Sequence, residues 1–266
     1  MNELTALEGW SFPVHVTRGG EARGRSIADQ AERMAGWLNK VVGDFTIPGL
    51  YVVGAADWDS VTAFPVYGMP HAKTDRIVVG QEPADFWTVV LDSVAPVLTD
   101  HDRAELRRVY GDPVTLGSFA DLLVSHEIGH YLHPWEKSDP TTFWLGEMLA
   151  NLALQGFVSE AQPELEETML TVLRIVWGRS RQWPLCDLTD MRRATEADGS
   201  NYVWYEFGLQ NLTKRMWTNT GSAGLRRLID VLNGPTLTHD KAIDVIGAID
   251  PGVAADLRRW PDFPAS

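Results

Sequence analysis

His126-Glu127-Ile128-Gly129-His130 is the stretch from which the rest of the chain is read. In a helix, residues four apart lie on one face, so both imidazoles can reach one metal ion. Glu127 follows the first histidine by one step. It therefore stands beside such an ion without ligating it, where it can take a proton from bound water. Two ligands leave a catalytic zinc site incomplete, because such sites take three protein ligands and keep one position for water. The chain has to supply a third.

The flanks read as helix. Leu116, Phe119, Leu122, Leu123, His126, His130 and His133 fall on one stripe, apolar at its start and imidazole at its end. Ser118 is the expected N-cap, and Pro134 stops the run. The histidines continue a buried face, and buried imidazoles need partners, of which a metal is one.

Downstream, Pro140-Thr141-Thr142 reads as a helix start. It leads into Trp144-Leu145-Gly146-Glu147-Met148-Leu149-Ala150-Asn151, with Glu147 on the inner side. An H-E-x-x-H, a turn and then W-L-x-E-x-x-A resembles the gluzincin metallopeptidases, the superfamily of thermolysin and the zinc aminopeptidases. The resemblance implies zinc as cofactor, with His126, His130 and Glu147 as ligands and Glu127 as general base. The gap from His130 to Glu147 is slightly shorter than in those families. Asn151 stands where they often place an acid that orients the first histidine; its carboxamide oxygen can accept the same ring N–H. Glu136, Asp139 and His133 remain rival third ligands, His133 being more suited to lining the cleft or capping the helix.

Tyr205-Glu206-Phe207-Gly208 opens a helical stretch to Trp217, followed by Gly221 and by Leu225, Leu228, Ile229 and Leu232. The same families carry a Y-x-x-G turn and helix here. The resemblance makes Tyr205 the candidate donor to the oxyanion, with Tyr202, three residues earlier, able to take that role. A tyrosine packed in a helical core, with its hydroxyl on a carbonyl, is the competing reading.

Composition narrows the field. The 266 residues, 44% apolar, suffice for a full core, and eleven tryptophans belong mostly to it. A formal charge of −13 provides no basic footprint for nucleic acid. The lone Cys186 excludes an intramolecular disulfide. Met1 to Arg25 holds no apolar run of signal length, and no segment approaches a transmembrane span, so a cytoplasmic protein without a membrane partner is expected.

Before the motif the chain reads as strands at Phe12–Val16, Ile47–Val53, Phe64–Tyr67 and Arg76–Val79, with a helix from Ser26 through Ile27, Ala31, Met34, Leu38 and Val41. The expected fold is α+β: one catalytic domain over 1–266, with a small mixed-sheet lobe at 1–115 and a mainly helical lobe at 116–266. The resemblance implies a zincin-like cleft between them. It also implies an edge strand pairing with substrate, and Gly68 to Ala72 is the candidate. Zinc aminopeptidases carry a G-x-M-E-N segment there; Gly68-Met69-Pro70-His71-Ala72 has no Glu for a free amine. After Glu147 the helix continues, Pro163 opens another to Trp177, 178–200 reads as irregular, and helices are expected at Tyr202–Trp217, Ser222–Leu232, Thr238–Ile246 and Pro251–Trp260. The expected function is a zinc-dependent hydrolase acting on a peptide. The alternatives are a hydrolase of a non-peptide amide in a small metabolite, and a non-catalytic scaffold on the same fold.

Overall fold

In the computed structural model the chain is described over residues 4–62, 64–82, 85–133, 139–179, 183–197 and 199–263. In chain order the first elements are β1 (Thr5–Leu7), β2 (Val14–Val16), α1 (Glu21–Val42), β3 (Leu50–Val53) and α2 (Trp58–Val61). Then come β4 (His71–Lys73), β5 (Arg76–Gly80), α3 (Asp85–Val94), α4 (Asp100–Tyr110) and α5 (Gly117–Gly129). A single 3-10 turn, His130–Leu132, follows α5 directly. After it lie α6 (Phe143–Ala161), α7 (Glu166–Arg179), α8 (Met191–Ala197), α9 (Gly199–Leu232), α10 (His239–Ile249) and α11 (Pro251–Leu257). The architecture is mixed α+β, with one sheet near the N-terminus and helices after it. Among the described residues no helix is long and apolar enough to cross a membrane.

The chain divides into two compact units. The first comprises residues 1–93 and 110–128, the second 94–109 and 129–266. Residues 94–109, with most of α4, group with the later helices, and α5 up to Ile128 groups with the sheet.

In the first unit five strands are ordered β1-β2-β3-β5-β4. β2, β3 and β5 run parallel, and β1 and β4 are antiparallel edges. β5 is apolar on both faces, and β2 and β3 bury one face fully, with His15 and Tyr51 half-buried on the other. Val14, Val16, Leu50, Val52, Ile77, Val78 and Val79 are all buried. Helix α1 links β2 to β3 and buries the expected stripe of Ile27, Ala31, Met34, Leu38 and Val41. It starts at Glu21, earlier than Ser26, and Gly24 lets it approach the sheet, since a Cβ there would collide with Val16.

The expected strand at Phe64–Tyr67 does not form. Pro65 has no N–H to give a ladder, and Gly68 turns with φ 79° against Gly80. A Cβ on Gly80 would lie 2.8 Å from the Gly68 Cα. The edge strand forms at His71–Lys73 instead, pairing His71 with Val78 and Ala72 with Ile77. Helix α5 is fastened within this unit. Arg23 bonds Asp121 at 2.7 Å and the Gly80 carbonyl at 3.0 Å, and Phe119 meets Trp87 edge-on at 5.2 Å.

In the second unit α6 is the central helix, with every residue from Trp144 to Val158 buried. It packs against α9 through Gly156, where the Trp217 ring occupies the space of a side chain. Two polar rungs join the helices: Asn151 to Glu206 at 2.8 Å and Gln155 to Gln210 at 3.0 Å. Both partners advance by four residues, so the two helices run in the same direction along this seam. The segments expected as two helices form one, α9, kinked at Gly221, where φ is 54°. The stretch expected to be irregular contains a 3-10 turn at Leu188–Asp190, capped by Asp187, and then α8.

Candidate metal centre

Helix α5 carries His126 and Glu127, and His130 opens the 3-10 turn that continues it. Together the three offer ligand atoms within 4.8 Å of one another. His126 and Glu127 are buried, at 6% and 8% exposure, because they extend the face holding Phe119 and Leu122. Ser118 is not the cap: the helix begins at Gly117.

Gly129 inside the motif has a packing reason. Its backbone is ordinary right-handed helix (φ −57°, ψ −30°), so no conformational demand selects glycine. A Cβ there would stand 2.8 Å from the Ala150 Cα and 3.1 Å from the Ala150 carbonyl oxygen. Glycine thus lets the chain at His130 touch α6 one turn from Glu147.

That contact brings a carboxylate to the second histidine. The His130 Nε2 and Glu147 Oε2 are 3.3 Å apart, with side-chain exposures of 12% and 5%. Two ligands about 2.1 Å from one zinc ion at tetrahedral angles stand about 3.4 Å apart. The imidazole–carboxylate pair thus has both the donor chemistry and the spacing that zinc takes. Trp144, one turn before Glu147, is fully buried and donates its indole N–H to His239 Nδ1 at 3.2 Å.

The rival ligands are placed otherwise. The Asp139 carboxylate caps the 3-10 turn before α6, accepting from the Thr141 amide at 2.7 Å and hydroxyl at 2.6 Å. His133 has left the helix in an extended conformation, and its Nε2 has no hydrogen-bond partner among the described residues. Burial, then the neighbouring His130, pushes His133 down to about 4, so it is neutral near pH 7. His133 and Asp139 line a cavity with Thr142, Leu145 and residues 231–237. Glu136 lies outside the described residues.

The Tyr205 hydroxyl has a partner of its own. The residue is fully buried and donates to the Asp187 carbonyl at 2.7 Å. Its ring stacks on Trp260 and meets Trp204 edge-on, within a cluster that includes Trp177 and Phe263. Burial, before any neighbouring charge, pushes its pKa up. Tyr202 lies one turn before Glu206, as Glu147 lies one turn before Asn151. The Tyr202 ring stands 6.5 Å from that of Phe143, one turn before Glu147.

Glu206 is the residue that the sequence reading passed over, although it adjoins Tyr205. It accepts from the Asn151 side chain at 2.8 Å, and with His126 and Glu147 it offers ligand atoms within 4.8 Å of one another. A signal was present: Glu147, Asn151 and Gln155 form a polar stripe in an apolar helix, and Tyr202, Glu206 and Gln210 form its counterpart.

In the edge strand, His71 is bonded on both ring nitrogens. The Thr62 hydroxyl lies 2.7 Å from Nε2 and the Met69 carbonyl 3.1 Å from Nδ1, and the ring stacks on Phe64. Burial, foremost, lowers its pKa to about 4. It is a structural histidine of the β4 turn.

The chain matches no protein-family model, no curated protein and no solved structure.

Proposed function

We propose that the protein is a zinc-dependent hydrolase of the gluzincin kind, acting on peptide bonds in a zincin-like fold. The observation that carries this is the 3.3 Å approach of His130 Nε2 to Glu147 Oε2, on a chain that reads H-E-x-x-H up to that histidine. His126, His130 and Glu147 would hold the ion. When bound, zinc would lower the pKa of a coordinated water and polarise a carbonyl. Glu127, buried and one residue from a ligand, accepts the proton of the attacking water and returns it to the leaving nitrogen. A structural zinc site has no use for that base, which favours an enzyme over a scaffold.

The oxyanion donor is assigned to Tyr202. For Tyr205 to serve, its hydroxyl would have to leave the Asp187 carbonyl and its ring the Trp260 stack. Tyr202, the alternative donor, lies three residues earlier, and its ring stands beside Phe143.

The test has two steps. Metal analysis of the purified protein should find one zinc per chain, lost on Glu147→Gln. A library of peptides and small amides should then yield a cleaved substrate with the wild type and none with Glu127→Gln at full zinc occupancy. Absence of zinc, or cleavage surviving Glu127→Gln, would remove the assignment.

A further inference from the structure

We infer that Glu206 is a further ligand of the metal centre, a second carboxylate that α9 supplies beside Glu147. The inference rests on the zinc reading above.

One oxygen of Glu206, one oxygen of Glu147 and one ring nitrogen of His126 lie within 4.8 Å of one another. Glu206 therefore reaches two of the residues that the zinc reading gives to the ion. Glu147 in turn stands 3.3 Å from His130, and His126 shares a second group of the same span with Glu127 and His130. Two donors on opposite sides of a zinc ion, each at about 2.1 Å, are about 4.2 Å apart. A group spread over at most 4.8 Å closes onto one ion by small side-chain rotations.

Charge and hydrogen bonding agree with this. Two carboxylates so close repel each other, the more so because Glu147 is only 4% exposed. A divalent cation between them cancels both charges. Ligating carboxylates are themselves held by hydrogen bonds from neighbouring groups. Asn151 provides one, its amide N–H donating to Glu206 Oε2 at 2.8 Å. A carboxylate has two oxygens, so one can be held by Asn151 while the other ligates. Asn151 lies one turn after Glu147, so the helix that carries one carboxylate anchors the other. The next rung, Gln155 with Gln210 at 3.0 Å, fixes the register of α9 against α6, and Gly156 makes room there for the Trp217 ring. Two imidazoles and two carboxylates still leave zinc a place for water, because the ion expands from four to five ligands.

The experiment reads zinc affinity by competition with a chromogenic chelator, and the visible absorption of the protein reloaded with cobalt(II). Folding of each variant is checked by thermal melting. Glu206→Gln keeps an oxygen for the Asn151 N–H but removes the charge that ligates. Zinc affinity is expected to fall at least about tenfold, and the cobalt bands to move as an oxygen donor is lost. Gln210→Met removes the neighbouring rung alone and serves as the structural control: its melting temperature falls while affinity and cobalt bands stay as in the wild type. A crystal structure of the zinc-loaded wild type needs no variant, and should place a Glu206 oxygen about 2.0–2.2 Å from the ion.

Equal zinc affinity and unmoved cobalt bands in Glu206→Gln would overturn the inference. So would a Gln210→Met that loses zinc equally, or a zinc-loaded structure with both Glu206 oxygens beyond about 3 Å from the ion. A wild type that binds no zinc would instead bring down the metal reading itself, so the two failures are distinct.

Discussion

Replacing Gly129 by alanine isolates the contact that brings His130 beside Glu147. In an ordinary helix this change stabilises by roughly 1 kcal/mol, because alanine restricts the unfolded chain. Gly129 has helical backbone angles, so that gain should apply here too. Against it stands the fully buried Ala150, whose Cα, carbonyl oxygen and Cβ would lie 2.8, 3.1 and 3.2 Å from the new methyl. Carbon atoms pack at about 3.5–4.0 Å, so the two backbones must part by about 1 Å. None of this is the end of a flexible side chain that can swing aside. Overpacking of this kind costs about 1–3 kcal/mol, and the net effect is a loss of roughly 1 kcal/mol. Melting temperature should fall by about 2–4 °C. The larger consequence is at the site. His130 adjoins Gly129 and Glu147 lies three residues before Ala150, so their 3.3 Å separation opens past the span one ion can bridge. Zinc affinity is expected to drop at least about tenfold, read by chelator competition. Ala150→Gly would relieve only the 3.2 Å contact and should rescue little. A Gly129→Ala protein that melts higher than wild type and holds zinc as tightly would refute the argument that this glycine sets the approach.

Other outcomes follow from the same geometry. Glu127→Gln should retain zinc while hydrolysis falls about 10²- to 10⁴-fold, since in the proposed mechanism the group transfers a proton and does not ligate; loss of the metal would show that it does. Tyr205→Phe removes one bond to the Asp187 carbonyl and should lower stability by about 1 kcal/mol with turnover unchanged; a fall in kcat without a fall in stability would return Tyr205 to the site. Tyr202→Phe should slow turnover; unchanged kcat would remove Tyr202 from the proposed mechanism. His71, held neutral with its pKa lowered from 6.5 to about 4, takes up a proton more readily when unfolded. The stability this contributes is complete above pH 6.5 and lost as pH falls from 6.5 to 4, by at most about 3 kcal/mol. Denaturant titrations across that window should show a shallower slope in His71→Gln, which has no proton to gain; parallel slopes would exclude the effect.

Much of this was legible from local pattern. The α1 stripe, the covered strands β3 and β5, and the helix carrying His126 follow from periodicity alone. So do the starts near Pro140 and Pro163, where a ring without an N–H suits a first turn. The edge strand was harder. Phe64 to Tyr67 has strand-like residues, but Pro65 and the Gly68–Gly80 crossing move the pairing to His71–Lys73. Between Arg179 and Gly199, tryptophan, arginine and proline read as a loop, yet an Asp187 cap starts a helix there.

By itself the sequence brought His126, Glu127 and His130 together, because their relation is the pitch of one helix. It also settled that the chain is mixed α+β. Which carboxylate meets His130, and what holds the Asn151 amide, were decided by tertiary structure alone. Glu147 lies seventeen residues beyond His130, and Glu206 fifty-five beyond Asn151. No period in the chain encodes those distances; they arise from how closely a glycine lets one backbone approach another, and from the register in which α6 and α9 pack.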